Sequence, residues 1–276
     1  MQTLEKNFAV KPFQPERTNS ESIAYFDRVA PEYFQRYREQ SPAGYAFRVR
    51  KQRVVELFDQ YEGRLLDVGC GPGIMAEELI ALGFEFWGMD ASAKMIKQCR
   101  RNFGALRNAH FSTGNVLCME FPEGFFDVVI CMGVIDRISA YDLAIGEMLR
   151  VLKKNGVLLI SFPNFHSPWA AWRNFIFYPL MTLLRPLYYG LIGRPRPAAL
   201  TAFAKMYTAK SASRLMRRYG GEVTNVAYLN FNLLLSPLDE IFPRLAMRIT
   251  EKLESWHSGK LNWLGSGFIL KIRKIS

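Results

Sequence analysis

The run Leu65-Leu66-Asp67-Val68-Gly69-Cys70-Gly71-Pro72-Gly73 constrains this chain more than any other feature. A strand-like stretch, Gly63–Gly69, runs straight into alternating glycines, and a helical pattern, Ile74–Leu82, follows. A strand that turns at once into a helix must bend sharply and leave room for a ligand against the backbone, which favours glycine. The unpaired N–H groups where the helix starts favour a carboxylate or phosphate. The spacing is Gly-x-Gly-x-Gly, not the Gly-x-Gly-x-x-Gly of dinucleotide sites. Nineteen residues after Gly71, the next strand, Glu85–Asp90, ends on an acid in Gly88-Met89-Asp90-Ala91-Ser92. A carboxylate there accepts two hydrogen bonds and suits the two hydroxyls of a ribose. The glycine turn alone is a weak signal; with the strand, the helix and the acid it is a strong one.

The rest of the chain extends this alternation. Glu21–Gln40 and Tyr45–Gln60 read as helices, Ala93–Phe103 as a helix and His110–Ser112 as a short strand. Phe126–Met132 and Gly156–Phe162 are apolar without alternation, as in strands covered on both faces, with a helix at Tyr141–Leu152 between them. The spacing predicts an α/β fold with a doubly wound, mostly parallel sheet. After Pro163 the pattern breaks. It resumes with a basic helix at Ala209–Tyr219, a strand at Glu222–Asn232, a helix at Leu238–Ser255 and a strand at Gly267–Arg273. The last two strands are expected to form an antiparallel edge. The organisation expected is a helical cap over 1–60, a ligand-binding core over 61–164, an apolar basic insert over 165–206, and completion of the sheet with a covering helix over 207–276.

With 276 residues the chain makes one large domain or two small ones, and its 49% hydrophobic and 22% charged residues exclude disordered and collagen-like classes. Cys70, Cys99, Cys118 and Cys131 include no Cys-x-x-Cys pair, and Met1–Asn19 has no apolar core of a secretory signal. The expectation is a cytoplasmic protein with reduced thiols. His110, His166 and His257 show no ligand spacing, so no metal site is expected.

Taken together, the motifs resemble a known family. YFDRVAPEYFQRY (Tyr25–Tyr37), LLDVGCGPG, GMDAS, GNV (Gly114–Val116), FDVVICMGVIDRI and VLKKNGVLLISFPN stand in the order found in class I S-adenosylmethionine (SAM)-dependent methyltransferases. The likeness is to the group acting on ubiquinone or menaquinone precursors and similar small molecules, over about residues 21–164. It implies a Rossmann-like seven-stranded sheet with an antiparallel edge, an insert after the fifth strand, and SAM as cofactor. It also implies roles. Gly69, Gly71 and Gly73 would lie under the methionine part, with Asp67 steering its ammonium end. Asp90 would bind the ribose, and Met89 and Ala91 would flank the adenine. Asn115, beside Val116, stands where the family often has Asp as partner of the adenine amino group. Met132 and Gly133 would supply carbonyls, and Tyr33 and Tyr37 would close the site. Other readings stay open: Asp67 as a turn or helix-cap partner, Met89 and Met132 as plain core, Tyr33 and Tyr37 as helix packing.

Methyl transfer asks mostly for alignment, and for a base where the acceptor carries a proton. Quinone-pathway relatives often place His after the fourth strand, but here the phrase is Val134-Ile135-Asp136-Arg137. Arg137 cannot be a base near neutral pH, though it can hold an anionic group or make a surface ion pair. The candidate bases are His166, just beyond the fifth strand, and Asp136; a base-free reaction is the third option.

Charge is unevenly spread. Of a formal +11, residues 165–276 hold 16 basic and 5 acidic residues. No acid occurs between Glu147 and Glu222. Asn174–Gly193 holds 13 apolar or aromatic residues in 20, interrupted by Pro179, Arg185 and Pro186, which argues against a membrane span. Trp169, Trp172, Tyr178, Tyr188 and Tyr189 lie among Arg173, Arg185, Arg194 and Arg196. This mixture fits an element resting on an anionic membrane face, or a lid over the substrate. Lys210, Arg214, Arg217 and Arg218 would extend the positive face. Nucleic acid is not expected as a partner: no Asn/Asp-Pro-Pro-aromatic phrase follows the fourth strand, where Cys131-Met132-Gly133-Val134 stands. The expected activity is methylation, O-methylation foremost, of a small hydrophobic acceptor at the cytosolic membrane face. The alternatives are a soluble natural-product methyltransferase whose insert is only a lid, and a non-catalytic SAM-binding partner protein.

Overall fold

A computed structural model describes residues 19–58, 62–177, 179–180, 183–184, 205–232, 234 and 238–275, with the backbone alone for 19–22, 42–43, 173–174 and 240. Tyr178, Arg185, Tyr188, Tyr189, Arg194 and Arg196 lie outside the described residues.

One sheet holds β1 (Gly63–Val68), β2 (Phe84–Asp90), β3 (Ala109–Thr113), β4 (Phe126–Cys131), β5 (Leu152–Pro163), β6 (Gly221–Leu229) and β7 (Gly267–Lys274). Its order is β3-β2-β1-β4-β5-β7-β6. All neighbours are parallel except β7, which runs antiparallel to both β5 and β6. The chain therefore has the expected Rossmann-like α/β fold with an antiparallel edge.

Around the sheet lie α1 (Asn19–Arg36), α2 (Pro42–Glu56), α3 (Ala76–Ala81), α4 (Ala93–Phe103), α5 (Tyr141–Val151), α6 (Pro168–Ala171), α7 (Ala209–Arg218), α8 (Leu238–Ile241) and α9 (Pro243–Leu253). Successive strand residues face opposite ways, and here both faces are covered. Leu66, Val129 and Ile160 pack with α5 and α7 through Ile145, Met148, Ala212 and Met216. Leu65, Val128 and Leu159 pack with α2 and α3 through Val49, Val54 and Leu79. That is why these strands read as unbroken apolar runs.

Several boundaries differ from the sequence expectation, among them these. The first helix ends at Arg36 rather than Gln40. β5 begins at Leu152 rather than Gly156, passing through Asn155 at φ 63 where its register shifts; asparagine tolerates that left-handed conformation better than most residues. The helix expected over Leu238–Ser255 is two helices broken at Phe242, because Pro243 lacks an N–H and starts a new helix.

The carboxyl ends of the parallel strands share one edge, where ligands of such sheets bind. The chain leaves this edge after Asn164 and returns to it at Tyr207. Phe165 N–H donates to Tyr207 O (2.8 Å), and Tyr207 N–H donates to Pro163 O (3.0 Å). The buried Asn164 amide donates to Trp263 O and Gly265 O, both at 2.7 Å, anchoring the approach to β7.

Candidate active site

The glycine turn is pinned to the end of β2. Gly69 and Cys70 N–H groups both donate to Met89 O, at 2.7 and 3.1 Å. Gly71 N–H donates to Asp90 Oδ2 (2.9 Å), and Ser92 N–H to Asp90 Oδ1 (2.8 Å). Each carboxylate oxygen keeps capacity for another donor. Two glycines are required for different reasons. Gly69 has φ 71, and a Cβ there would collide with Val134 Cγ2. At Gly71, φ 53, a Cβ would meet nothing nearer than Tyr33 Cε1 at 4.0 Å, so the space above the turn is open and roofed by α1. The Ser92 side chain caps α4 by accepting from Met95 N–H (3.1 Å) and donates to Asp27 Oδ1 (2.6 Å), which holds α1 over the site.

Beside the turn is a cleft lined by Tyr37, Phe47, Arg50, Asp67, Gly69 and Met132. Asp67 is 3% exposed. Burial, with the nearby Asp90 carboxylate adding to it, pushes its pKa up to about 8. Arg50 Nε is buried with no hydrogen-bond partner among the described residues. Its Nη1 lies 2.7 Å from where a Gly133 Cβ would stand, and Gly133 sits at φ 71, so this close approach favours glycine. Gly133 N–H is held by Ser161 Oγ at 2.8 Å. Tyr37 stacks on Phe47 (4.5 Å), Tyr33 meets both rings edge-on, and burial raises both phenols. Sequence reasoning missed Arg50 and Phe47. Their one signal is spacing by one turn of α2, which no motif marks.

The other expected residues fall into three places. Met89 is buried in the core, with Val116 packed against the same cluster, and Ala91 is exposed beside Asp90. Asn115 is exposed, and its side-chain oxygen accepts from Leu117 N–H (3.0 Å). Gly73 closes the turn, its N–H donating to Cys70 O (3.1 Å). Past β4, Arg137 Nε donates to Gly133 O (3.3 Å) while its guanidinium lies 5.4 Å from the Phe26 ring, bridging the loop to α1. Half-buried Asp136 shares its surroundings with Tyr207, whose hydroxyl is raised by burial, lowered by Lys205 and raised further by Tyr141 and Asp136. Lys205 Nζ lies 3.5 Å from the Tyr141 ring centroid. His166 is exposed beyond β5, its N–H donating to Asn164 Oδ1 (3.1 Å) and its ring 6.4 Å from that of Trp263, towards β7. The structure thus gathers Asp67, Gly69, Gly71, Asp90, Met132, Gly133, Tyr33 and Tyr37, sets Asp136 and Arg137 at their border, and places His166 with the β7 approach. Among the described residues no cluster of three or more His, Cys, Asp or Glu could hold a metal ion.

Residues 66–160 match the methyltransferase domain family. This stretch of the chain is similar to methyltransferase domains. Its relatives include a malonyl-[acyl-carrier protein] O-methyltransferase of Legionella pneumophila, 33% identical over 116 residues, which are 39% of this chain and 41% of that protein. A ubiquinone biosynthesis O-methyltransferase of Pelagibacter ubique is 34% identical over 103 residues, 37% and 42% of the two chains. The match thus spans about two fifths of each of these relatives. The solved magnesium protoporphyrin IX methyltransferase of Synechocystis, with bound SAH, shares the fold at a TM-score of 0.58 and 15% identity, over 93% of this chain and 100% of that one.

The methyltransferase domain's own residues fit SAM. The cofactor brings an ammonium and a carboxylate at one end and ribose hydroxyls further along. Asp67 is a buried carboxylate that no cation pairs among the described residues. Arg50 offers a buried donor without an acceptor. Asp90 has acceptor capacity left on both oxygens. Each group wants what the ligand carries.

Proposed function

We propose that this chain transfers a methyl group from SAM to a small hydrophobic acceptor, an oxygen first of all. The observation that carries this reading is the unpaired buried Asp67 carboxylate set against a glycine turn that Asp90 holds open. Asp67 pairs with the cofactor's ammonium, Arg50 with its carboxylate, and Asp90 with two ribose hydroxyls. Met132 and Gly133 border the methionine end; Met89, Ala91, Asn115 and Val116 border the adenine, where Asn115 keeps one acceptor site beyond its own turn. The bound sulfonium supplies a methyl group already activated for transfer. The chain's own contribution is alignment and exclusion of water, and Tyr33, Tyr37 and Phe47, clustered under α1, supply the dry wall.

An acceptor that loses a proton hands it to Asp136, three residues beyond Gly133, or to His166 if the acceptor extends towards Trp263. Arg137 positions the loop and cannot take the proton. Phenolic, quinol or lipid-like acceptors suit the apolar surroundings, and the names of the relatives support oxygen as the methylated atom. The aromatic and basic segment after β5 supports peripheral contact with an anionic membrane face. The simpler alternative is a soluble natural-product methyltransferase in which that segment is a lid only.

A second reading has its own support. The exposed Lys210, Arg214, Arg217 and Arg218 of α7 have no acid on their helix, and the Legionella relative is named for a carrier-bound substrate. In it the acceptor is a carboxylate delivered on an acidic carrier protein.

The test is SAM carrying a labelled methyl group, incubated with the protein and whole host extract. Label in the organic-soluble fraction is expected. Base-labile label on a small acidic protein supports the carrier reading instead, and label on nucleic acid overturns both. Binding of SAM without any transfer to the extract identifies a non-catalytic partner protein.

A further inference from the structure

We propose that α8 and the start of α9, outside the aromatic insert, form a second wing of a bilayer-docking face, whose occupant is an anionic phospholipid surface. The inference rests on the membrane-facing reading above and assigns it residues.

Twelve of the fifteen exposed large hydrophobic side chains among the described residues belong to just two segments, 165–184 and 238–263. Singly exposed apolar residues need no explanation, but concentration does. Topology gives the two segments a common origin. The first leaves the end of β5, and the second joins the end of β6 to the start of β7, which is the same edge of the sheet because β7 alone runs antiparallel. Trp169 Nε1 lies 3.5 Å from Asp239 Oδ2, which ties α6 of the first segment to α8 of the second. Both wings therefore spring from the edge that carries the methyltransferase site.

The chemistry of the second wing is that of an interfacial element. Ile241, Phe242 and Leu245 are each at least half exposed and, with Pro243, Arg244 and Arg248, line a shallow open concavity. Arg244, Arg248 and Lys252 recur every four residues on the exposed side of α9, while Ala246 and Thr250 are buried beneath. Aliphatic side chains flanked by guanidinium groups match acyl chains below a layer of phosphates. The first wing repeats the pattern, with Ile176 and Leu183 exposed in a stretch that has no acid. No helix among the described residues is long and apolar enough to cross a membrane, so contact is along the surface. An apolar acceptor dissolved in the bilayer would then reach the site without crossing water.

The experiment is flotation of the full chain with vesicles of phosphatidylcholine alone and with about a third phosphatidylglycerol, at low and high salt. Binding is expected on the anionic vesicles, weakened by salt. Phe242→Glu with Leu245→Glu should lower the partition coefficient at least tenfold, and Arg244→Glu with Arg248→Glu should remove the preference for anionic lipid. SAM affinity, measured by calorimetry on the same samples, should stay unchanged, which separates lost docking from misfolding. Vesicle binding of the Phe242/Leu245 variant equal to the native chain overturns the proposal. So does a dimer in sedimentation that this variant splits without loss of vesicle binding, which makes the patch a contact between copies. Because flotation uses no methyl acceptor, its failure leaves the methyl-transfer reading to be judged by the labelling experiment.

Discussion

The folded pKa of Asp67, about 8, lies far above the ordinary carboxylate range. Between about pH 4 and pH 8 the folded protein holds a proton that the unfolded chain has released, so this group's contribution to stability is full at low pH and is lost as pH rises to about 8. Asp67→Asn should therefore stabilise the cofactor-free protein at pH 8, by roughly 1–3 kcal/mol, and flatten the pH dependence of its melting temperature. The same substitution should weaken SAM binding, and native affinity should climb with pH towards 8, because only the carboxylate attracts an ammonium; calorimetry across pH 6–9 reads both. Asp90→Ala should cost about a hundredfold or more in SAM affinity, the loss of two charge-assisted hydrogen bonds, and an unchanged dissociation constant would remove the ribose assignment. The turn and Asp90 were legible in the sequence because strand, glycine and acid follow one another locally. Arg50 was not, because its place beside Gly133 arises only when α2 packs across the sheet.

Elements were legible to the degree that burial dictates their pattern. β1, β4 and the core of β5 are covered on both faces and show it as unbroken apolar runs. Ala93–Phe103 falls where expected, with Ser92 capping it and a strongly two-sided pattern. In sequence the C-terminal helix reads as continuous although Pro243 marks the break. Its apolar residues keep helical spacing across Phe242, and periodicity by itself cannot register one missing N–H. Nor does any pattern announce how that region is fastened. Arg53 of α2, 4% exposed, reaches Glu254 at 3.1 Å just past α9, and Glu254 is 8% exposed. Arg53→Ala leaves that carboxylate buried and unpaired, so we expect a loss of about 3–5 kcal/mol, seen as a lower denaturant midpoint. The Arg53→Ala, Glu254→Ala pair should lose less than the sum of the two single changes.

For the whole molecule, a ligand that binds only the folded state must raise its stability. S-adenosylhomocysteine at a hundred times its dissociation constant should add about 2.7 kcal/mol, shifting the melting temperature upward by several degrees, and Asp90→Ala at the same ligand concentration should remove most of the shift. The formal charge of +11, gathered in residues 165–276, gives the molecule a positive half whose partner the flotation and labelling experiments identify. The place of β7 has a further consequence, for the order in which the molecule is built. β7 is the last strand in sequence, yet it lies between β5 and β6. On the ribosome, β1 to β5 and every residue assigned to the cofactor are delivered first. Until β7 emerges, β5 presents a bare edge of N–H and C=O groups, an invitation to mispairing, and β6 has no neighbour to join. A cofactor that docks on the nascent half would hold the first five strands together through that interval, so its supply in the cell should govern how much of the protein is recovered intact as well as how fast it works.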